Sequence, residues 1–230
     1  LAVYRVAPSD TLSSAQGTAG FAAPMAAFLD DAQRRGIHVV LDLAPENLPE
    51  WAQSPGLDVS EGSSFNYDLM ADAAREVLKR HVSAAVSAAK GRPNVLSVSL
   101  ARDTALRLRE STLREGLIAL AKSQYGEYDS MNRRWRTRYM SFDEIQVDWA
   151  SRHSAYVYDL QTYHQELGTQ LFAWLASMSR DAASEIPVQV QFADTAFDKG
   201  ESLRGIDHES ILTSMDISGC SPTQVLGGNG

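Results

Sequence analysis

The 230-residue sequence has a single cysteine, Cys220. An internal disulfide framework and any cysteine-built metal cluster are thereby excluded, although one thiol does not select a compartment. No uninterrupted apolar run approaches membrane-spanning length. The five histidines, His38, His81, His153, His164 and His208, show neither HxH nor HExxH spacing, so no metal site is expected. There is no Gly-rich phosphate loop and no Ser or Cys nucleophile elbow, and no cofactor is expected. Positive charge is also scarce: 21 Lys and Arg against 29 Asp and Glu leave a net charge of -8. Nucleic acid and anionic membrane both require concentrated basic side chains, so neither is an expected partner.

What remains is ordinary globular composition, 44% hydrophobic and 22% charged, in a chain long enough to bury a sizeable core as one domain. The chain opens at Leu1 directly in a strand-like run and stops at Gly227-Gly228-Asn229-Gly230 after another, which reads as a piece of a longer protein.

Strands and helices alternate along it. Residues 1–6 are strand-like. Residues 21–35 follow a helical pattern with Met25, Phe28, Leu29 and Ala32 on one face and Gly36 as the terminator. Residues 37–43 form a near-continuous apolar run, the signature of a strand covered on both faces. A long loop leads to a helix over about 68–90, then a strand over 95–100, a helix over 106–124, a small excursion, and a long helix over about 148–184. A strand over 187–192, a short helix near Asp207 and a strand over 215–219 close the series. This alternation predicts an α/β fold of parallel βαβ units.

The most informative stretch is Val95 to Ser111, VLSVSLARDTALRLRES, a buried strand whose C-terminal end delivers Arg102-Asp103-Thr104 into a loop. It resembles the end of the fourth strand in retaining glycoside hydrolases of the large (β/α)8 clan, where Leu-Ala-Asn-Glu-Pro carries the acid/base glutamate. Here Arg102-Asp103-Thr104 stands in place of Asn-Glu-Pro. The excursion SQYGEYDSMNRRWRTRYMSFDEI, within an insertion of about residues 123–147, is similar to one in beta-galactosidase-like members of that clan, typified by family forty-two. The matching residues are Tyr125-Gly126, Asn132, Trp135, Thr137 and Ser141-Phe142-Asp143-Glu144.

The resemblance implies a partial (β/α)8 (TIM) barrel, residues 1–230 forming a single incomplete catalytic-type domain with strands two to six at 1–6, 37–43, 95–100, 187–192 and 215–219. The first, seventh and eighth strands lie outside the sequence, and with the seventh goes the clan's nucleophilic glutamate. An open arc of this kind is expected to expose two unpaired edges and an uncovered apolar interior.

The implied function is hydrolysis of β-linked sugars with a carbohydrate substrate and a degenerate acid/base motif; the alternative is an inactive carbohydrate-binding or structural barrel. Asp103 takes the acid/base position and Arg5 that of the arginine that orients the nucleophile. Retaining hydrolysis sets its two carboxyl groups about 5–5.5 Å apart. Asp is shorter than Glu by one C–C bond, about 1.5 Å, and a misplacement of about 1 Å costs on the order of a hundredfold in rate. Arg102 beside it would lower a carboxyl pKa that an acid catalyst needs raised. A second reading of Asp103 stays open, as a cap with Thr104 on a helix beginning near Ala105. The substrate-binding residues the resemblance implies are Trp51, which either stacks on a sugar face or anchors its loop, Glu46 and Asn47, which offer hydrogen bonds to hydroxyls, Arg102, and Gln191 at the end of the fifth strand, where amide side chains line such sites. Trp135 and Trp149 are expected to staple the excursion to the barrel.

Overall fold

The structure, a computed structural model, describes residues 1–13, 20–45, 48–49, 52, 67–68, 70–102, 106, 108–193 and 205–221. Five strands, β1 (Ala2–Arg5), β2 (Val39–Asp42), β3 (Val95–Arg102), β4 (Val188–Ala193) and β5 (Ile217–Ser221), form one sheet in sequence order with every neighbouring pair parallel. Helices α1 (Pro8–Thr11) and α2 (Ala22–Arg34) connect the first pair and α3 (Asp72–Ala89) the second. Helices α4 (Glu110–Tyr125), α5 (Tyr128–Trp135) and the 29-residue α6 (Ser154–Ala182) lie between β3 and β4, and α7 (His208–Leu212) leads to β5. A parallel neighbour demands a crossover, so every C-terminal strand end lies on one edge of the sheet. This is the arrangement of four successive βα units and a fifth strand of a partial (β/α)8 barrel, with a helical insertion between the third and fourth strands present.

The core lies between sheet and helices. Helix α3 buries Ala74, Val77, Leu78, His81, Val82, Ala85, Val86 and Ala89, one continuous stripe at helical spacing. Fully burying a Val or Leu side chain contributes roughly 1.5–3 kcal/mol. That dominates here, because Ala71 at the N-cap makes no side-chain cap. Val39 and Leu41 of β2, Val98 and Leu100 of β3 and Val188, Val190 and Phe192 of β4 meet this stripe and the inner side of α6.

Side chains alternate across a strand, so the residues between those face away from the helices. They are Asp42, Ser97, Ser99, Gln189 and Gln191, with Val40 and the half-exposed Val3 and Ile217 at the two flanks. The expected apolar interior is therefore corrected: the face away from the helices is mainly polar among the described residues. It remains mostly enclosed, with Ser97, Ser99 and Gln189 all buried.

The insertion has a core of its own. Leu117 and Ala121 of α4, Met131 and Trp135 of α5, Ile145, and Tyr156 and Leu160 of α6 make a second apolar cluster. Trp135 Nε1 donates to Asp159 Oδ2 at 2.7 Å, and the Tyr125 hydroxyl donates to the same oxygen at 2.5 Å. Burial foremost, and then the Asp159 carboxylate, push the Tyr125 hydroxyl up to about 12, so it stays a donor throughout the physiological range. Asn132 Oδ1 accepts from the Thr137 hydroxyl at 2.8 Å and the Tyr139 amide at 3.0 Å, and its Nδ2 donates to the Tyr139 carbonyl at 2.7 Å. The motif residues of the excursion thus hold a turn and pin it to α6. Trp149 packs its ring 5.4 Å from that of His164 on α6, a staple like Trp135.

Candidate active site

The C-terminal edge of the sheet collects charged and amide side chains in register. Arg5 closes β1 opposite Asp42 of β2, and Arg102 closes β3 opposite Gln191 of β4. Asp42 is only 1% exposed, and its Oδ2 lies 3.9 Å from Nη1 of Arg102, whose side chain is 40% exposed. That separation is an ion pair, but it is too long for a hydrogen bond. Arg102 Nε is buried without a partner, as is Oε1 of Gln191. Although their Cα atoms are partners, these two do not bond. Gln191 leans toward β5 instead, with its Cγ 2.9 Å from where a Cβ on Gly219 would stand. A glycine at that point of β5 gives the amide its room.

The loop after β2 is set by buried hydrogen bonds. His81 of α3 lies 2.7 Å through Nε2 from the Leu43 carbonyl, and Thr11 of α1 lies 2.7 Å from its Nδ1. Ala44 follows with φ of 42°, the left-handed conformation that a residue with a Cβ rarely adopts. Further on, the Tyr67 hydroxyl donates to the Pro45 carbonyl at 2.5 Å. Asp68, buried, accepts from the Met70 amide at 2.9 Å and from the Thr112 hydroxyl of α4 at 2.9 Å. Both described ends of the loop are thereby fastened to the body of the domain.

The sequence-predicted residues divide accordingly. Arg5, Arg102 and Gln191 come together on the edge. Asp103, Glu46, Asn47 and Trp51 lie outside the described residues. Helix α4 begins at Glu110 with Arg109 at its N-cap, so the reading of Asp103 and Thr104 as caps of a helix starting near Ala105 is corrected. Leu106 and Leu108, which the periodicity placed in that helix, are non-helical and buried, Leu106 in the main core and Leu108 in a small cluster with Leu113 and Leu167. They anchor the chain between strand and helix. Arg102 makes its ion pair across to β2.

Asp42 was missed. Its signal in the sequence is a lone carboxylate inside the apolar run of residues 37–43, since a charge in a strand covered on both faces must have a partner. Among the described residues no group of three or more His, Cys, Asp or Glu converges as a metal site would require, and no helix is long and apolar enough to cross a membrane.

A scan against protein-family models finds no match, and neither does a search of curated protein sequences. Solved structures do match. An exo-carrageenase of glycoside hydrolase family 42 from Bacteroides ovatus superposes with a TM-score of 0.74 at 17% identity, over 97% of this chain and 32% of that one. A beta-galactosidase from Bacillus circulans sp. alkalophilus gives 0.78 at 13% identity, over 99% and 36%. A beta-galactosidase from the haloarchaeon Halorubrum lacusprofundi gives 0.76 at 18%, over 95% and 35%. This chain therefore spans about a third of each of those proteins, and over that span its fold is that of the beta-galactosidase-type (β/α)8 barrel.

Proposed function

We propose that residues 1–230 are an incomplete (β/α)8 domain of the beta-galactosidase-like glycoside hydrolases, whose C-terminal sheet edge takes a β-linked sugar. One observation carries this reading: Arg5 paired with Asp42, and Arg102 paired with Gln191, stand at the C-terminal edge, where barrels of this type build their sites. In this reading Asp103, directly after Arg102, is the acid that protonates the leaving oxygen. Arg5 orients a nucleophilic carboxylate supplied from outside this sequence. Trp51, Glu46 and Asn47, on the loop fastened by His81 and Tyr67, meet the sugar from the β2 side, and Gln191 meets it from the β4 side.

The test is Asp103→Asn in the whole protein. Loss of the acid should abolish hydrolysis of glycosides with poor leaving groups and harm activated aryl glycosides less, because only the former need a proton on the departing oxygen. Equal loss on both classes would remove Asp103 from that role.

A second reading, sugar binding without turnover, is favoured by Arg102 itself. A guanidinium where the clan has a neutral amide favours the ionised form of a neighbouring carboxyl. In that case the wild type turns over neither class of glycoside, while Trp51→Ala weakens sugar binding by loss of stacking.

A further inference from the structure

The geometry points to Arg102 as a specificity residue that selects a sugar bearing an oxyanion, a carboxylate or a sulfate, over a neutral one. The inference rests on the carbohydrate reading of the same edge and names the substrate class there.

A guanidinium placed for architecture alone has its N–H groups taken up by the protein, since buried donors left without acceptors are costly. Arg102 is held otherwise. Among the described residues its carboxylate partner is Asp42, almost wholly buried and 3.9 Å away, and its Nε is buried without a partner there. Asp42 thus fixes where the head lies without filling its donor fork. The strand on the other side does not fill it either, because Gln191 leans away over Gly219. The head stays 40% exposed at the C-terminal end of β3. Arg5 pairs in the sheet with Asp42 from the other side, so among the described residues of β1, β2 and β3 two guanidinium-bearing positions flank that carboxylate. A planar fork of N–H donors matches a carboxylate or sulfate in a bidentate manner and has no such match in a hydroxyl. The net charge of -8 opposes a bound anion, so a local cationic arrangement is needed to hold one.

The experiment is calorimetric titration of the whole protein with three galactose-based oligosaccharides of equal length, one neutral, one sulfated and one oxidised to the uronic acid. Inorganic sulfate serves as a fourth probe, and each titration is run at low and high ionic strength. An anionic oligosaccharide should bind about ten- to a hundredfold more tightly than the neutral one, the worth of one charge-assisted hydrogen-bonded contact, and the preference should shrink with salt. Which anionic sugar binds tighter separates sulfate from carboxylate. Arg102→Gln should erase the preference. Arg102→Lys, which keeps a charge beside Asp42 and so guards against simple misfolding, should retain only part of it.

Equal affinity for neutral and anionic sugars in the wild type would overturn the inference and leave the carbohydrate reading standing. Survival of the preference in a folded Arg102→Gln protein would overturn the assignment to Arg102. Inorganic sulfate binding as tightly as the sulfated sugar would overturn the claim that the anion is sugar-borne. Binding of no sugar at all would overturn both readings.

Discussion

His81 reaches from the middle of α3 to the Leu43 carbonyl, 2.7 Å from Nε2, at the point where β2 ends. A carbonyl can only accept, so Nε2 carries the proton and Nδ1 accepts from the Thr11 hydroxyl. The ring is fully buried, and that burial holds its pKa down at about 4, against a model-peptide value of about 6.5. One neutral imidazole thereby ties α1, α3 and the start of the β2 loop together.

That geometry sets the pH dependence of folding. A histidine whose folded pKa is depressed contributes stability that is fully present above its unfolded value and is lost as pH falls through the window from about 6.5 to about 4. A shift of that size corresponds to about 3 kcal/mol at most. His164 has the same sign for the same reason, its pKa lowered by burial to about 4. Urea unfolding of the wild type should therefore show falling stability between about pH 6.5 and 4. His81→Leu should be less stable at neutral pH, where it forfeits both hydrogen bonds, yet show a shallower decline over that window. An unchanged slope in the variant would mean that His81 does not govern it.

The insertion depends on Asp159. Its Oδ2 accepts from both Tyr125 and Trp135, which meet edge to face with centroids 5.9 Å apart. Tyr125→Phe removes one charge-assisted hydrogen bond and should cost about 1.5–3 kcal/mol. Trp135→Ala empties the centre of the second core and should cost about 3–5 kcal/mol. Tyr158, largely exposed on the same helix as Asp159, supplies the control: Tyr158→Phe should stay within about 0.5 kcal/mol of wild type. Chemical denaturation of the three variants checks the ranking, and a Tyr125→Phe protein as stable as the control would show that the 2.5 Å contact contributes nothing net.

How far the sequence could be read depended on which force sets each feature. All five strands overlap the apolar segments read from the sequence, because burial on the helix side imposes that pattern, although β5 begins two residues later than expected. Helix starts were misplaced where a side chain competes with the backbone. Asp68 and Asp148, expected inside α3 and α6, accept the amides of Met70 and Ala150 two residues on and hold turns ahead of the helices, which begin at Asp72 and Ser154. The short α1 went unforeseen, since four residues carry no periodicity; its Thr11 is fixed by a long-range contact to His81. Arg5, Arg102 and Gln191 were legible near the C-terminal ends of their strands, although β3 itself runs on to Arg102 and β4 continues two residues past Gln191. Asp42 showed only as a lone carboxylate inside an apolar run; its partner was not legible, because Arg102 lies sixty residues along the chain and one strand away.

Gly168, in the middle of α6, gives the sharpest test of how the loop after β4 is seated. On propensity alone, Gly168→Ala should stabilise an interior helical turn by about 1 kcal/mol. The packing opposes it. A Cβ there would lie 2.1 Å from the Gly205 carbonyl oxygen and 2.9 Å from Cδ1 of Leu106. The nearer of these is backbone and cannot rotate aside. Gly205 in turn is at φ +66°, and a Cβ on it would stand 2.6 Å from Nε2 of His164, so both glycines are needed for this close approach of the chain to α6. Overpacking of this kind costs typically about 1–3 kcal/mol, which outweighs the propensity gain. Gly168→Ala should therefore lower the melting temperature and raise amide exchange at residues 205–207, where Gly205 leads into α7. A variant that melts higher than wild type, with exchange there unchanged, would show that the loop after β4 does not rest on α6 at this point.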